Sequence, residues 1–244
     1  MFTIATREFK SLFLSPLAWA ILGVMQIIFG WSFAILVYLF IRPDVQANLA
    51  NDPNAPGLTS MIVGSLFDWI AIVLLLITPF LTMRLISEER RNKTLALLIS
   101  APVSMTSIVL GKFLGLMGFF MIVLLMLALM PLSLMFGGDI DFGQLGAAFL
   151  GLILWLGALT ALGLYISSLT AYPTVAAIST FGVFLLLWMI GWAQDVTVLQ
   201  YLSFTDHYQS LLKGLINSTD IVYYLLFIIL FLSLSIYRLD AERL

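Results

Sequence analysis

The chain has 244 residues, of which 62% are hydrophobic and only 10% are charged, whereas a soluble globular domain carries about 25% charged residues. This composition indicates a membrane protein and excludes a large soluble core, so any sizeable activity outside the membrane must come from another chain. The absence of cysteine excludes disulfides, thiolate metal sites and cysteine nucleophiles, and the net charge of −2 shows no basic excess that would suggest nucleic acid.

The first residues form an amphipathic segment. Apolar residues recur at helical spacing between Phe2 and Phe13, and Arg7 and Lys10 lie on the opposite side. We expect residues 2–15 to form a helix that lies in the plane of the membrane interface. The same pattern also fits a positive anchor that only fixes the topology of the chain.

Six apolar stretches reach or approach the length that crosses about 30 Å of hydrocarbon at about 1.5 Å per residue. These stretches are residues 17–41, 61–83, 113–136, 145–169, 174–193 and 221–237. Only helix ends and short loops remain. We therefore expect one all-α domain over residues 1–244, embedded in the lipid bilayer with six transmembrane helices.

The basic residues indicate the orientation of these spans. With the N-terminus in the cytoplasm, nine lysines and arginines lie on the cytoplasmic side, and only Arg42 and Lys213 lie outside. Short cytoplasmic loops carry the excess of basic residues in membrane proteins. We therefore expect both termini in the cytoplasm.

The loop between the second and third spans, residues 84–104, is the most informative cytoplasmic stretch. Its charged residues come first and its apolar residues follow; they are Glu88, Glu89, Arg90 and Arg91, then Leu95, Leu98 and Ile99. Glu89 precedes Lys93 at the spacing of a helical ion pair, and Pro102 ends the predicted helix. Such a helix rests either on lipid headgroups or in a groove of a cytosolic partner, and composition favours neither.

The same loop carries a family resemblance. Glu88 to Arg91 is followed by Thr94-Leu95, Leu97-Leu98 and Pro102-Val103-Ser104, which resembles the corresponding loop of ABC-2 type transporter permeases. In that family the loop is a coupling helix seated on the ATPase subunit. The resemblance implies that role for Glu88, Glu89, Arg90, Arg91, Thr94, Leu95, Leu98, Ile99 and Pro102. Lys93 replaces the usual glycine before the threonine, and Ala96 replaces the usual glutamate after it.

The stretch from Tyr201 to Tyr224 resembles the gliding-motility-associated branch of these permeases. There an aromatic residue, a basic residue with glycine, a polar turn and an acid precede a tyrosine-rich last span. Thr205 or Asp206 can cap a helix here, and its apolar face predicts a segment in the outer leaflet. We favour a lid over the spans, with direct substrate contact as the alternative. The resemblance also implies a membrane-anchored accessory protein with an extracytoplasmic part.

Asp68 is the only charged residue within a predicted span, about 10 Å from its outer end. An intramembrane carboxylate faces a cavity or a partner group, so Asp68 either lines a path for substrate or protons or bonds to a neighbouring helix. His207 is the only histidine and lacks the neighbours of a metal site, so no metal is expected. The small pair Gly111 and Gly115 fits packing within one subunit or dimerisation.

Together these features predict a non-catalytic permease subunit. The chain lacks a G-x-x-x-x-G-K-[ST] phosphate loop, so ATP and Mg²⁺ are expected on separate ATPase subunits. The resemblance implies two permease copies and two ATPases in the bacterial inner membrane, and export of a substrate that the sequence does not identify. A mechanotransmitter that changes the shape of an outside partner without moving a substrate is the alternative. A membrane-embedded enzyme is the weakest reading, because no pair of intramembrane catalytic residues exists.

Overall fold

A computed structural model describes residues 1–51, 56–95, 103–136, 139–191, 201 and 203–242. Within these ranges the regular structure is helical and contains no strand. In chain order the helices are α1 (Phe2–Leu14), α2 (Pro16–Phe40), α3 (Pro43–Asn51), α4 (Ser65–Thr82), α5 (Ser87–Arg91), α6 (Met105–Ser133), α7 (Phe142–Leu169), α8 (Pro173–Ile190), α9 (Phe204–Leu212) and α10 (Ser218–Asp240). A π-helical turn, Thr59–Gly64, leads into α4.

Six of the described helices are long and apolar enough to cross a membrane, and they are α2, α4, α6, α7, α8 and α10. This confirms the predicted all-α fold with six spans. The third of them begins at Met105 rather than at Phe113. Ser104 Oγ caps this helix start by accepting a hydrogen bond from the Ser107 amide at 3.2 Å. The last one runs from Ser218 to Asp240. Both helices therefore extend beyond the apolar stretches that predicted them.

The fourth span, α7, forms the centre of the bundle and is buried along most of its length. Its glycines permit close approach of two neighbouring helices. A Cβ atom on Gly157 would lie 2.9 Å from Ile228 of α10, and one on Gly163 would lie 2.7 Å from Cβ of Thr82 in α4. Small residues of this span therefore serve packing inside the subunit. By contrast, only about a fifth of the apolar stretch of α2, α8 or α10 is buried within the chain.

The first helix packs against the early turns of α6. A Cβ atom placed on Gly111 would lie 2.8 Å from Cβ of Ile4, and one on Gly115 would lie 2.7 Å from Cβ of Glu8. Neither approach leaves room for a side chain. Of the two roles that the sequence allowed for Gly111 and Gly115, packing within one subunit or dimerisation, the structure shows packing within the subunit, in a groove that receives α1. We call it the glycine groove.

An even number of spans places both termini at one end of the bundle, which we call the terminal end. It holds α1, α5, the start of α6 and the ends of α7 and α10. The opposite, distal end holds α3, α9 and the starts of α7 and α10. At the distal end Asp141 caps α7 by accepting the amides of Gly143 and Gln144 at 2.8 and 3.1 Å.

Candidate functional site

The segment before α5 is fixed to the end of α7 by a single hydroxyl group. Ser167 Oγ accepts hydrogen bonds from the amides of Ile86 and Ser87, both at 3.1 Å, and donates one to the carbonyl oxygen of Met83 at 3.0 Å. Ser167 and Ser87 are fully buried. Buried backbone groups need hydrogen-bond partners, and the Ser167 hydroxyl supplies them where the helical hydrogen bonds are interrupted between α4 and α5. It thereby fixes the direction of the loop.

Arg90 joins the same loop to two other parts of the terminal end. Its Nη2 atom donates to the carbonyl oxygen of Ser168 at 2.7 Å and to Glu242 Oε1 at 2.7 Å. Glu242 follows α10, and Arg238 of that helix approaches it at 3.5 Å. The predicted coupling residue Arg90 therefore holds α5, α7 and the end of α10 together.

Glu89 also points into the protein. Its Oε1 atom lies 2.8 Å from Nζ of Lys112, which in turn lies 3.5 Å from Glu8 Oε2. The Lys112 side chain is only 3% exposed, and these two carboxylates compensate its buried ammonium group. The predicted Glu89–Lys93 helical pair is wrong, because α5 ends at Arg91. Lys112 instead links α5, α6 and α1.

Lys93 adopts a backbone conformation that favours glycine. Its φ is 58°, in the left-handed region, and it follows the last residues of α5. The amide of Thr94 then donates to the carbonyl oxygen of Glu89 at 2.9 Å, and Thr94 Oγ1 donates to the same oxygen at 3.2 Å. The chain thus turns sharply at the position where the resemblance implies glycine.

The remaining coupling residues divide into three groups. Glu88, Arg91 and Thr94 are exposed at the terminal end, and Leu95 is buried in the core rather than on an open edge. Leu98, Ile99 and Pro102 lie outside the described residues. Glu88, Arg91 and Thr94 are therefore accessible at the terminal end, while Glu89 and Arg90 bond to other helices.

At the distal end, α9 packs over the spans as a lid. A Cβ atom on Gly151 of α7 would lie 3.1 Å from Leu211. Tyr208 donates its hydroxyl to the carbonyl oxygen of Phe67 at 2.9 Å. Burial, with a smaller contribution from the Asp68 carboxylate, raises the pKa of Tyr208 well above its ordinary value, so the hydroxyl stays protonated as a donor. The helix cap is Ser203, which accepts the Asp206 amide at 3.2 Å; the prediction of Thr205 or Asp206 was wrong.

Asp68 is half-buried beside this lid and contacts it directly. Its Oδ1 atom accepts a hydrogen bond from Gln209 Nε2 at 2.7 Å. Two cavities meet at this pair, one of about 270 Å³ bordered by Trp155 and Trp188 and one of about 230 Å³ bordered by Gln144 and Lys213. Asp68 therefore bonds to a neighbouring helix, which is one of the two predicted alternatives, and it also borders two cavities.

His207 fastens α9 to the start of α10. Its Nδ1 atom lies 2.6 Å from Asp220 Oδ1, and its Nε2 atom lies 3.2 Å from the carbonyl oxygen of Tyr201. A carbonyl oxygen only accepts, so Nε2 is the donor in the hydrogen bond to Tyr201. The ring also stacks on Tyr223 at 4.2 Å between centroids. His207 thus has a structural role at the lid.

Sequence reasoning missed four residues of these two regions: Lys112, Ser167, Gln209 and Glu242. Each acts on a partner far away in the chain, so spacing gave no signal for Ser167, Gln209 or Glu242. Lys112 did carry one, since it is a lysine between two glycines at the edge of an apolar stretch. A lysine in that position requires a carboxylate partner once the helix is packed.

The six spans and the buried polar links at both ends define a multi-pass membrane protein. The family model of the ABC-2 family transporter proteins matches residues 2–244 of the chain. The chain therefore belongs to the ABC-2 transporter family and is the membrane permease subunit of an ABC transporter. Permeases of this family normally pair with ABC ATPase subunits and are generally non-catalytic. A search of curated proteins gives no significant match.

Proposed function

We propose that the terminal end faces the cytoplasm and receives separate ATPase subunits on Glu88, Arg91 and Thr94. These residues are exposed, while Glu89 and Arg90 behind them are tied to α1, α6, α7 and α10. A force that a bound ATPase exerts on these exposed residues is therefore transmitted to four other helices. This link between an exposed charged loop and the spans is the observation that carries the proposal. ATP and Mg²⁺ bind on the partner chains.

The complete transporter, in this proposal, contains two permease copies and two ATPases in the bacterial inner membrane. It exports a substrate through a path to which Asp68 contributes, and it belongs to the gliding-motility-associated branch. The likeness of residues 201–224 to that branch supports this assignment. A membrane-anchored accessory protein then binds at the distal end.

The second candidate is a mechanotransmitter, and the two attachments of α10 are the reason for considering it. This helix is held at the terminal end by the Glu242–Arg90 pair and at the distal end by the Asp220–His207 pair. A movement of the coupling loop therefore reaches the lid through one continuous rod. The two functions differ in a measurable way, because a mechanotransmitter alters an accessory protein on ATP hydrolysis without any substrate crossing the membrane.

The ATPase assignment is tested by co-purification from detergent. Arg91→Glu should lower the amount of bound ATPase about tenfold and in a salt-dependent way, because the exposed charge guides association and its reversal repels the partner. Leu98→Asp should release the ATPase at all salt concentrations, because it introduces a charge into the apolar edge that the sequence predicts at Leu98 and Ile99. Arg42→Glu, an exposed reversal at the distal end, is the matched control.

Arg90→Ala distinguishes a residue that positions the coupling loop from one that contacts the ATPase. It should lower the thermal midpoint of the permease and thereby reduce ATPase binding, whereas Arg91→Glu should leave the midpoint unchanged. If Leu98→Asp and Arg91→Glu insert normally and both retain the ATPase at wild-type stoichiometry, the loop does not form the contact and the proposal is wrong.

A further inference from the structure

The side of α1 that faces away from α6 carries a basic groove. Its volume is about 720 Å³, and it is bordered by Arg7 and Lys10, by three side chains with hydroxyl groups, and by Phe2 and Leu14 at its two ends. We call it the outer groove. Among the described residues that border it there is no carboxylate. The outer groove is therefore positively charged.

Arg7 also borders a second cavity, of about 260 Å³, on the inner side of α1. There Arg7, Arg84 and Lys112 face three glutamates, two of which pair with Lys112. The charges of this inner cavity are thus balanced. By contrast, Arg7 and Lys10 form no ion pair or hydrogen bond with any described residue. An anion therefore meets a net positive charge in the outer groove and not in the inner cavity.

The packing of α1 fixes the level of the outer groove relative to the membrane. At the start of α1, Ile4 lies beside Gly111 of α6. Near its end, Phe13 lies against Phe119 of α6, with 5.5 Å between ring centroids. The two helices thus run in the same direction, and the apolar stretch 113–136 of α6 begins between the two contacts. The basic pair therefore lies close to the hydrocarbon boundary, where the polar head-group layer is about 5–8 Å thick.

The order of side chains along the groove matches the order of groups in a phospholipid. Because α1 runs towards the membrane centre, Leu14 lies at the inner end of the groove, and its side chain is 84% exposed. Trp19, which follows it in α2, is 60% exposed. Basic and hydroxyl groups near the boundary suit a phosphate, and apolar groups further in suit an acyl chain.

We infer that the outer groove binds an anionic phospholipid, with Arg7 and Lys10 against its phosphate and Leu14 against an acyl chain. Basic residues at a membrane surface attract anionic lipids. A zwitterionic head group fits less well, because its ammonium group finds no carboxylate in the described lining. A cytosolic protein also fits less well, because the groove lies at the level of the head groups. The inference does not depend on the proposed ATPase contact.

Native mass spectrometry measures lipid binding to the purified full-length permease in detergent. The probe is dioleoyl-phosphatidylglycerol, and dioleoyl-phosphatidylethanolamine is the control lipid with the same acyl chains. The first phosphatidylglycerol should bind at least about fivefold more tightly than the control lipid. Arg7→Gln and Lys10→Gln should each weaken phosphatidylglycerol binding about fivefold, and the double variant about twentyfold. Binding of the control lipid should change less than about twofold.

Arg84→Gln is the matched control variant. Arg84 is another exposed basic residue of the terminal end, but it borders only the inner cavity, so phosphatidylglycerol binding should change less than about twofold. Arg7→Lys and Lys10→Arg keep the charge and should keep most of the affinity. All these side chains are exposed, so the variants should keep the wild-type thermal midpoint.

A fluorescent label tests the level of the groove without changing its charge. Thr6→Cys introduces the only cysteine into the chain, and the labelled protein is reconstituted into phosphatidylglycerol liposomes. Lipids with bromine on the upper acyl chain should quench the label on Cys-substituted Thr6, and iodide on both sides should quench it weakly. Asn92→Cys, exposed at the terminal end, is the control and should show the reverse.

Four outcomes overturn the inference: equal affinity for the two lipids, unchanged phosphatidylglycerol binding in the double variant, an equal loss in Arg84→Gln, or quenching at Thr6 that matches quenching at Asn92. If the double variant instead loses the ATPase in co-purification and keeps its lipid affinity, the groove belongs to the ATPase contact and the inference is wrong. The lipid measurements use the permease alone, so a negative result leaves the coupling proposal intact.

Discussion

The left-handed turn at Lys93 permits a quantitative test of how the coupling loop is built. Lys93 has φ 58°, a conformation that costs a non-glycine residue about 1–2 kcal/mol. Lys93→Gly removes this cost but adds about 0.5–1 kcal/mol of conformational freedom to the opened segment. The turn should therefore become more stable by a net of about 0.5–1 kcal/mol.

Hydrogen exchange measured by mass spectrometry gives the readout at the turn itself. The amide of Thr94 is held by the carbonyl oxygen of Glu89 at 2.9 Å, so its protection reports whether the turn is closed. A gain of about 0.5–1 kcal/mol corresponds to about two- to fivefold slower exchange, after correction for intrinsic rates.

Lys93→Ala is the matched control, because it removes the charge of Lys93 but keeps the Cβ atom that disfavours the left-handed region. Its protection at Thr94 should equal that of the wild type. The reasoning is refuted if glycine leaves the exchange rate unchanged, or if alanine slows it as much as glycine does.

Three further predictions concern packing, charge and topology. Gly115→Val should expose α1 to protease and destabilise the protein by about 1–3 kcal/mol, because Glu8 Cβ and the Ala5 carbonyl oxygen leave no room for a side chain. Gly182→Val is the control and should change neither property, because no atom lies within 4 Å of the added Cβ. Equal behaviour of the two variants would contradict the glycine groove. Lys112→Met should lower the thermal midpoint, and adding Glu89→Gln should restore part of it, because one unpaired carboxylate is removed; no recovery in the double variant would show that the pair is unimportant. Single cysteines at Asn92 and Asn48 should react with an impermeant maleimide from opposite sides, with Asn48 outside, and labelling of both from one side would exclude the six-span topology.

The sequence predicted the six spans because each depends only on its own composition. A long apolar run must satisfy its backbone internally once it enters lipid, so it becomes a helix whatever its neighbours are. The ends of these helices were less predictable. The third helix continues back to Met105 through residues as polar as Lys112, because α1 and α5 cover that surface with carboxylates.

The coupling loop shows where local reasoning fails. Glu89 and Arg90 belong to the same charged run as Glu88 and Arg91, and spacing alone gives all four the same exposed role. Only tertiary contacts separate them, because Lys112, Ser168 and Glu242 are distant in the chain and near in space. Likewise, the glycine pair of α6 could not be assigned to α1 or to a second subunit from its spacing.

The glycine groove also changes which parts of the molecule move together. By sequence, α1 precedes the first span and is joined to it through Ser15, where the backbone is extended. By contact, α1 lies flush on the third span, where the missing side chains of Gly111 and Gly115 let the two helices approach. A displacement of the first helix is therefore delivered to the third span through a packed face, and to the first span through the Ser15 connection and the hydrogen bond from Trp19 to the carbonyl oxygen of Phe13. The helix that follows α1 in the chain is thus not the helix against which α1 packs most closely.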